Sequence, residues 1–140
     1  MSKLYFLLLI LFSSTLLSAQ EAQTTYNLKI IVNDFEKIKG ELRVCLTDKK
    51  EDFLKYCKYS KVVTVTNNSV SLEIANIKTG IYSISVFHDE NNNGILDIGL
   101  FGIPSEPYAF SNNPSTGFGP PSFEKSTLLM NKDKQISINL

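Results

Sequence analysis

The feature that most constrains this chain is a two-residue alternation of apolar and polar side chains. The alternation runs through residues 26–32, 42–46, 70–74 and 82–88. Because successive side chains of a β-strand point to opposite faces, such runs predict strands that bury one face only. Turn-forming Asn, Gly and Ser residues separate the runs, and the whole pattern predicts about seven short strands. We therefore expect an all-β fold, a single β-sandwich of the immunoglobulin-like or transthyretin-like type.

Two segments depart from this alternation. In residues 48–59, Asp48 followed by Glu51 resembles a helix capping box and predicts one or two helical turns. From about Asp89 to Ser122, the sequence predicts one long loop that contains all five prolines and five of the seven glycines. A loop of this length in a compact domain is usually functional or internally packed, so it is the first place to look for a site.

The first twenty residues have the three-part layout of a secretory signal peptide. A short basic start at residues 1–3 precedes an apolar run at residues 4–17 and then Ser18-Ala19-Gln20. The apolar run is shorter than the roughly 20 residues that a membrane-spanning helix needs. We expect residues 1–20 to be removed, which leaves a single domain at residues 21–140. This mature domain is expected to have no membrane span and to be periplasmic or extracellular.

The charge balance argues against a nucleic-acid partner. Lys and Arg number 14, Asp and Glu also number 14, and the formal net charge is zero. Domains that bind nucleic acids carry a basic surface that attracts phosphates, and no basic excess is present here. The hydrophobic fraction of 43% and the charged fraction of 20% are typical of a folded domain rather than a disordered chain.

The two cysteines fit an exported protein. Cys45 and Cys57 lie twelve positions apart, and a pair of this kind in an oxidising compartment predicts a disulfide. Closing so short a loop stabilises a fold by about 2–4 kcal/mol. Cys45 is on the outer face of its strand, where it could join the following loop to the sheet. The alternative is a pair of free, buried thiols.

The segment that follows the strand at residues 82–88 resembles a calcium-binding loop. It has the pattern D-x-N-x-N-G-x-x-D, which places oxygen ligands at alternate positions and a glycine at the sharp turn. The expected ligands are the side chains of Asp89, Asn91, Asn93 and Asp97 and the backbone carbonyl of Ile95.

The twelfth position of this loop departs from the calcium pattern. Leu100 stands where a helical EF-hand has its bidentate Glu, so Glu106 or Glu90 would have to supply the missing carboxylate. With few carboxylates we expect weak binding, with a dissociation constant of about 10⁻⁴ to 10⁻³ M. The alternative is a turn without metal, because Asn, Asp and Gly are also the common turn-forming residues.

The same region leaves two further kinds of site open. Aromatic residues at 101–123, with Tyr108, Phe110 and Phe118 as the main candidates, could bind a glycan or a small ligand. They could instead pin the long loop onto the sandwich. A third hypothesis is a hydrolase that uses two of the nearby carboxylates, but the G-x-S-x-G motif is absent and His88 fits a strand-end residue better than a base.

Within residues 80–113 the sequence resembles the bacterial family catalogued as domain of unknown function 2141. The residues that carry the resemblance are Gly80-Ile81-Tyr82, then Val86-Phe87-His88-Asp89-Glu90-Asn91, Asn93-Gly94, Leu96-Asp97, Phe101-Gly102-Ile103-Pro104, Glu106 and Phe110-Ser111-Asn112-Asn113. As a strand pattern, the resemblance extends over about residues 26–140. It implies a small exported β-sandwich with no established activity.

The Asp-rich loop is also similar to the calcium loops of B-type repeats in bacterial surface adhesins. Those loops continue with a further acidic ligand, whereas this chain has Ile98-Gly99-Leu100. Our leading hypothesis is therefore a secreted, non-enzymatic β-sandwich with a weak calcium-type site that orders residues 89–97. The main alternative is a glycan- or small-ligand-binding module. The sequence names no partner, and a cell-surface glycan and a protein are the open candidates.

Overall fold

The structure, a computed structural model, describes residues 23–140, so the predicted signal peptide lies outside the described residues. The described chain contains eight β-strands and three short 3₁₀-helices. The strands are β1 (Thr25–Asn33), β2 (Glu41–Thr47), β3 (Tyr59–Thr64), β4 (Ser69–Lys78), β5 (Gly80–Asp89), β6 (Tyr108–Phe110), β7 (Thr127–Met130) and β8 (Lys134–Asn139). The 3₁₀-helices are Lys50–Asp52, Leu100–Gly102 and Phe123–Ser126.

The strands form two sheets. In the three-stranded sheet, β1 lies in the centre, antiparallel to β4 and parallel to β8. The five-stranded sheet has the order β3-β2-β5-β6, and β7 pairs with the first part of β5 on the same edge as β6. β5 is therefore covered along both edges, by β2 on one side and by β6 and β7 on the other.

A single hydrophobic core joins the inner faces of the two sheets. Alternate residues of β1, β2, β4 and β5 supply it, as the two-residue alternation predicts. Its completely buried side chains include Leu28, Ile30, Val32, Leu42, Leu46, Ile77, Ile84, Met130 and Ile138. The all-β prediction is confirmed and a β-sandwich is consistent with the two sheets, while the immunoglobulin-like or transthyretin-like type stays a prediction.

The segment between β2 and β3 is less helical than the sequence suggests. It contains a single 3₁₀ turn, Lys50–Asp52, whose N-cap residue is Lys49 and which has no side-chain cap, while the Asp48 carboxylate pairs with Lys58. The disulfide between Cys45 and Cys57 is formed, with the two Cα atoms 5.2 Å apart, which confirms the predicted pairing. Since the chain must return to Cys45 within twelve residues, little length is left for regular helix.

The long loop after β5 is not wholly irregular. It contains β6, the 3₁₀ turn Leu100–Gly102 and an isolated bridge between Ile98 and Pro104. β6 was not predicted, because a strand of three residues is too short for alternation to reveal it. Among residues 23–140, no helix has the length and apolar character needed to cross a membrane.

Candidate ligand-binding cleft and the adjoining Asp89 loop

The outer face of the five-stranded sheet forms the floor of a cleft. Because Leu42, Val44 and Leu46 face the core, the intervening residues of β2 face outward. The strand register sets the first row across the sheet as Val62, Arg43, Phe87 and Tyr108. The second row is Ser60, Cys45, Ser85 and Phe110. Side chains in such rows are direct neighbours, so the two rows form a continuous surface.

Two loops form the walls of this cleft. On one side stand Leu54, Lys55 and Cys57, in the loop that the disulfide joins to β2. On the other side stand parts of the long loop, residues 94–104 and 116–120. The cleft is open to solvent on one side and has a volume of about 860 Å³. The cleft is thus a product of the disulfide-bonded loop, the sheet and the long loop together.

The three aromatic residues predicted as a ligand surface all line this cleft. Phe110 is buried, and its ring packs at 5.9 Å from that of Phe53 and 6.0 Å from that of Tyr108, measured between ring centres. Phe118 is fully exposed at the rim. Phe110 therefore also holds the long loop on the sheet, whereas Phe118 is free to contact a ligand. Their role in binding stays a prediction.

Asp89, at the end of β5, is completely buried beside the cleft floor. Its carboxylate accepts hydrogen bonds from Arg43 Nε at 2.6 Å, from the Gly94 amide at 2.8 Å and from the Asn93 amide at 3.1 Å. Burial raises the pKa of the Asp89 carboxyl, but these bonds outweigh burial and the net pKa lies below the usual value. Arg43 also donates to Glu41 at 2.9 Å, so its guanidinium bridges two carboxylates.

The other polar residues of the loop bond mainly to one another. The side-chain oxygens of Asn91 and Asn93 accept from the amides two residues ahead, at 3.0 and 2.9 Å. Their side-chain amides donate to the Asp97 carboxylate at 2.6 and 2.9 Å. Gly94 has φ +86, the left-handed conformation that the sequence pattern assigns to it, and Ile95 is mostly exposed. The four predicted side-chain ligands therefore share one tight turn.

Glu106 links the two ends of this turn. It is buried, and its two carboxylate oxygens accept from the backbone amides of Glu90 at 2.9 Å and Asp97 at 3.1 Å. Glu90 itself pairs with Lys37 at 2.7 Å and Lys39 at 3.3 Å, and the bond from Lys37 is the main reason its pKa is lowered. Neither glutamate points into the turn as a free ligand.

The calcium site therefore stays a prediction. The structure brings Asp89, Asn91, Asn93 and Asp97 together, but their oxygens accept hydrogen bonds from the protein itself. Over residues 23–140, no group of three or more His, Cys, Asp or Glu side chains is arranged to hold a metal ion.

His88 lies in the core rather than at the cleft. The side chain is completely buried, its Nε2 lies 2.7 Å from the Lys39 carbonyl oxygen, and its ring packs edge-on against Phe35 at 5.0 Å. The hydrolase hypothesis relied on carboxylates of the same loop, and Asp89 and Glu106 are both buried and hydrogen-bonded as described above. Their arrangement is suited to holding the loop in place.

Sequence reasoning missed several residues of the cleft. Arg43 and Phe87 are outward-facing positions of β2 and β5, and alternation alone could have identified that face. It could not have shown that they are neighbours of Tyr108, because that requires the strand register. Lys55 gave no signal in the sequence, since only the disulfide brings its loop to the cleft.

Comparison with protein-family models gives one match. The family described as "Uncharacterized protein conserved in bacteria (DUF2141)" matches residues 30–139, which agrees with the resemblance noted at residues 26–140. No curated protein and no solved structure matches the chain. Because the match covers most of the chain, including every strand of both sheets at least in part, the protein belongs to the DUF2141 family of bacterial proteins.

Proposed function

We propose that this chain is an exported, non-enzymatic binding protein whose cleft holds a small apolar molecule. The observation that carries the proposal is the cleft of about 860 Å³ over the outer face of the five-stranded sheet. Small-molecule sites in proteins are concave, mainly apolar and about 300–1,000 Å³ in volume. The cleft falls within that range.

Exposed apolar side chains at the rim support this function. Phe118 is fully exposed, Ile103 is 64% exposed and Ile98 is 57% exposed. Covering apolar surface stabilises a complex by roughly 25 cal/mol per Å². Apolar groups clustered at a concave surface are therefore typical of a binding site rather than of an inert exterior.

The lining favours an apolar molecule over a glycan. Sugar hydroxyl groups lose water on binding and need hydrogen-bond partners in its place. The hydrogen-bonding side chains of the lining are the hydroxyl groups of Ser60, Ser85, Thr116 and Tyr108 and the basic groups of Arg43 and Lys55, while no Asp, Glu, Asn or Gln residue of the described part of the chain lines the cleft. An apolar ligand can contact the aromatic rings of the lining and needs no hydrogen-bond partners there.

Export is part of the proposal, to the periplasm or beyond the cell. Two features support it: the signal-like pattern at residues 1–20 and the disulfide, since disulfides persist mainly in oxidising compartments. Compartment fractionation of the natural host, with this protein detected by antibody, tests this part. Recovery of the uncleaved chain in the cytoplasm would contradict it.

The binding proposal is tested with a neutral fluorescent probe, N-phenyl-1-naphthylamine, titrated into the purified protein. Ser85 lies on the cleft floor, so the ring of Ser85→Phe should occupy part of the cleft and weaken probe binding about tenfold. Ser71→Phe is the matched control, because Ser71 is exposed on β4 of the other sheet. Failure of the wild type to bind the probe, or unchanged binding by a folded Ser85→Phe variant, would overturn the proposal.

A further inference from the structure

We propose that the hairpin tip at residues 98–104 inserts into the interfacial layer of a lipid bilayer. The proposal goes beyond the cleft and does not depend on a ligand bound there. It starts from Leu100 and Phe101, which are 83% and 96% exposed and do not line the cleft. Binding of a small molecule in the cleft therefore leaves these two side chains without a role.

Exposed apolar side chains are concentrated at this tip. Within nine residues, the large apolar side chains of Ile95, Ile98, Leu100, Phe101 and Ile103 are all exposed. Single exposed apolar residues are common on protein surfaces, but a contiguous group of them marks a surface that contacts a protein or a membrane.

The tip is the end of a short hairpin with a hydrogen-bonded base. The Ser105 amide donates to the Asp97 carbonyl oxygen at 2.8 Å, and the Gly99 amide donates to the Ile103 carbonyl oxygen at 2.7 Å. Below these bonds, the buried Glu106 carboxylate accepts from the Asp97 amide at 3.1 Å. The exposed apolar tip is therefore carried by a support whose position is fixed.

Phe101 has an unfavourable backbone conformation at this tip. Its φ is 62° and its ψ is 20°, in the left-handed region that bulky side chains rarely adopt. The cost is not offset by packing inside the protein, because the side chain is almost completely exposed. Strained residues of this kind cluster at functional positions, and here the strain places an aromatic ring in solvent.

The tip carries no charge that could select a partner electrostatically. Residues 98–105 contain no Asp, Glu, Lys or Arg, and no Lys or Arg occurs between Lys78 and Lys125. Proteins are attracted to anionic membrane surfaces through basic residues, so this tip should not distinguish an anionic lipid from a zwitterionic one. Its contact with a partner must be apolar.

The convex shape of the tip favours a bilayer over a protein partner. A protein would need a matching apolar pocket, whereas lipid molecules rearrange around a small convex group. The cleft of a second copy is such a pocket, but a tip-to-cleft contact joins different surfaces of the two copies and can continue into an open chain of molecules. We therefore assign the tip to a lipid surface.

The length of the tip fits the interfacial layer. Phe101 is three residues beyond the bridge between Ile98 and Pro104, which is about 10 Å at roughly 3.3 Å per residue. Apolar groups of interfacial segments are buried about 5–10 Å deep. The tip should stay at that depth, because the centre of a bilayer offers no hydrogen-bond partners to the backbone of a turn. Since Ile98 and Ile103 also line the cleft, insertion places the cleft opening next to the membrane.

Tryptophan fluorescence tests insertion directly, because the chain contains no Trp. The purified protein without residues 1–20, carrying Phe101→Trp, is mixed with phosphatidylcholine vesicles. The emission should shift to shorter wavelength, and lipids brominated near the glycerol end of the acyl chain should quench it more than lipids brominated near the terminal methyl group. Tyr56→Trp is the matched control and should show no shift. Tyr56 is also an exposed aromatic residue, but it lies beside Thr47, at the opposite end of the five-stranded sheet from Asp89.

Flotation with the same vesicles measures how much Phe101 contributes. Phe101→Asn should lower the partition coefficient about tenfold through lost apolar contact. Its melting temperature should not fall, since Asn adopts the left-handed conformation more readily than Phe. Tyr56→Asn should leave the partition coefficient unchanged. Raising the salt concentration from about 20 mM to about 500 mM should also leave binding of the wild type unchanged, because no charge attracts the tip to the lipid.

The proposal is overturned by any of four results. They are no emission shift in Phe101→Trp, an unchanged partition coefficient in folded Phe101→Asn, binding only to phosphatidylglycerol vesicles and only at low salt, and an emission shift without vesicles that grows with protein concentration. The third result would assign membrane binding to lysines elsewhere, and the fourth would assign the tip to a second copy.

The proposed function is judged by a separate measurement. Without vesicles, Phe101→Asn should bind N-phenyl-1-naphthylamine as the wild type does, because Phe101 does not line the cleft. Loss of vesicle binding with intact probe binding would therefore separate the tip from the cleft, and absence of probe binding by the wild type would leave the result for the tip unaffected.

Discussion

Two neighbouring parts of the segment after β5 are built in contrasting ways. In residues 89–97 and Glu106, the buried carboxylates accept hydrogen bonds from Arg43 and from backbone amides of the same loop. In residues 98–118, Ile98, Ile103 and Phe118 stay exposed beside a cleft. The carboxylates of the first part are hydrogen-bonded within the protein, whereas the apolar side chains of the second part are still exposed to solvent. In the proposed function, the acidic part supports the site and the apolar part contacts the ligand.

The largest effect on stability is expected from removal of the buried Asp89 carboxylate. Asp89→Ala should lower the free energy of unfolding by about 3–5 kcal/mol, because Arg43 Nε and two backbone amides lose their acceptor and Arg43 keeps only Glu41 as a partner. Urea unfolding measures the change. Glu36→Ala, which removes an exposed carboxylate, is the control and should change stability by no more than about 0.5 kcal/mol. A similar small change at Asp89 would contradict the supporting role.

The same ion pair predicts the direction of the pH dependence. Since the folded-state pKa of Asp89 lies below its usual value of 3.8, its contribution is full above that value and is lost as pH falls toward the folded-state pKa. The free energy of unfolding of the wild type should therefore drop as the pH is lowered below about 4. Asp89→Asn should show a shallower drop across the same range, and parallel curves for the two proteins would refute the assignment.

The disulfide tests whether the cleft depends on a fixed wall. Replacing Cys45 and Cys57 together by Ser should lower the free energy of unfolding by about 2–4 kcal/mol, because the loop between them regains freedom in the unfolded chain. The Leu54–Lys55 wall should also loosen, so the affinity for N-phenyl-1-naphthylamine should fall in protein that is still folded. Unchanged probe affinity would show that the sheet and the long loop suffice.

Calcium titration tests whether residues 89–97 bind a metal ion. With a dissociation constant of about 10⁻⁴ to 10⁻³ M, the predicted site would gain about 1–2 kcal/mol of stability at about 5 mM calcium. The melting temperature should then rise with calcium, not with magnesium, and the rise should disappear in Asp97→Asn, since Asp97 is a predicted ligand that is less buried than Asp89. No calcium effect on the wild type would leave residues 89–97 as a hydrogen-bonded turn.

The smallest effect on stability is expected at the cleft rim. Phe118→Ser should change the free energy of unfolding by no more than about 0.5 kcal/mol, because the side chain is fully exposed. It should nevertheless weaken N-phenyl-1-naphthylamine binding about fivefold through lost apolar contact. Phe101→Ser is a close control, because Phe101 is 96% exposed but does not line the cleft. Equal loss of binding in both variants would remove Phe118 from the site.

Much of the fold was predictable from local pattern, because alternation depends only on neighbouring residues. It identified the inward residues of β1, β2, β4 and β5, and the cysteine pair identified the disulfide. The three-residue strand β6 was not predictable, since its position depends on pairing with β5 rather than on its own sequence. The same limit applied to the cleft, whose residues meet only through register and long-range pairing.

The Asp-rich turn illustrates a second limit. Its residue types fit both a calcium site and a turn that bonds to itself, because Asn and Asp side chains serve both purposes. The partner that separates the two interpretations is Arg43, which lies 46 positions from Asp89 and carries no motif. Sequence spacing could propose the turn but could not show which group meets the buried carboxylate.

The parallel pairing of β1 with β8 has a consequence for how the domain folds. Asn27 and Asp133, joined by a hydrogen bond at the start of this pairing, are 106 positions apart in the chain. Contacts between such distant segments form late and slow the overall folding rate, because the long intervening chain must first be ordered. The three-stranded sheet is therefore complete only after β8 has paired with β1. Until then, β1 has one unpaired edge that is open to other chains. A domain that folds slowly would suit the proposed export if its route carries unfolded chains across the membrane.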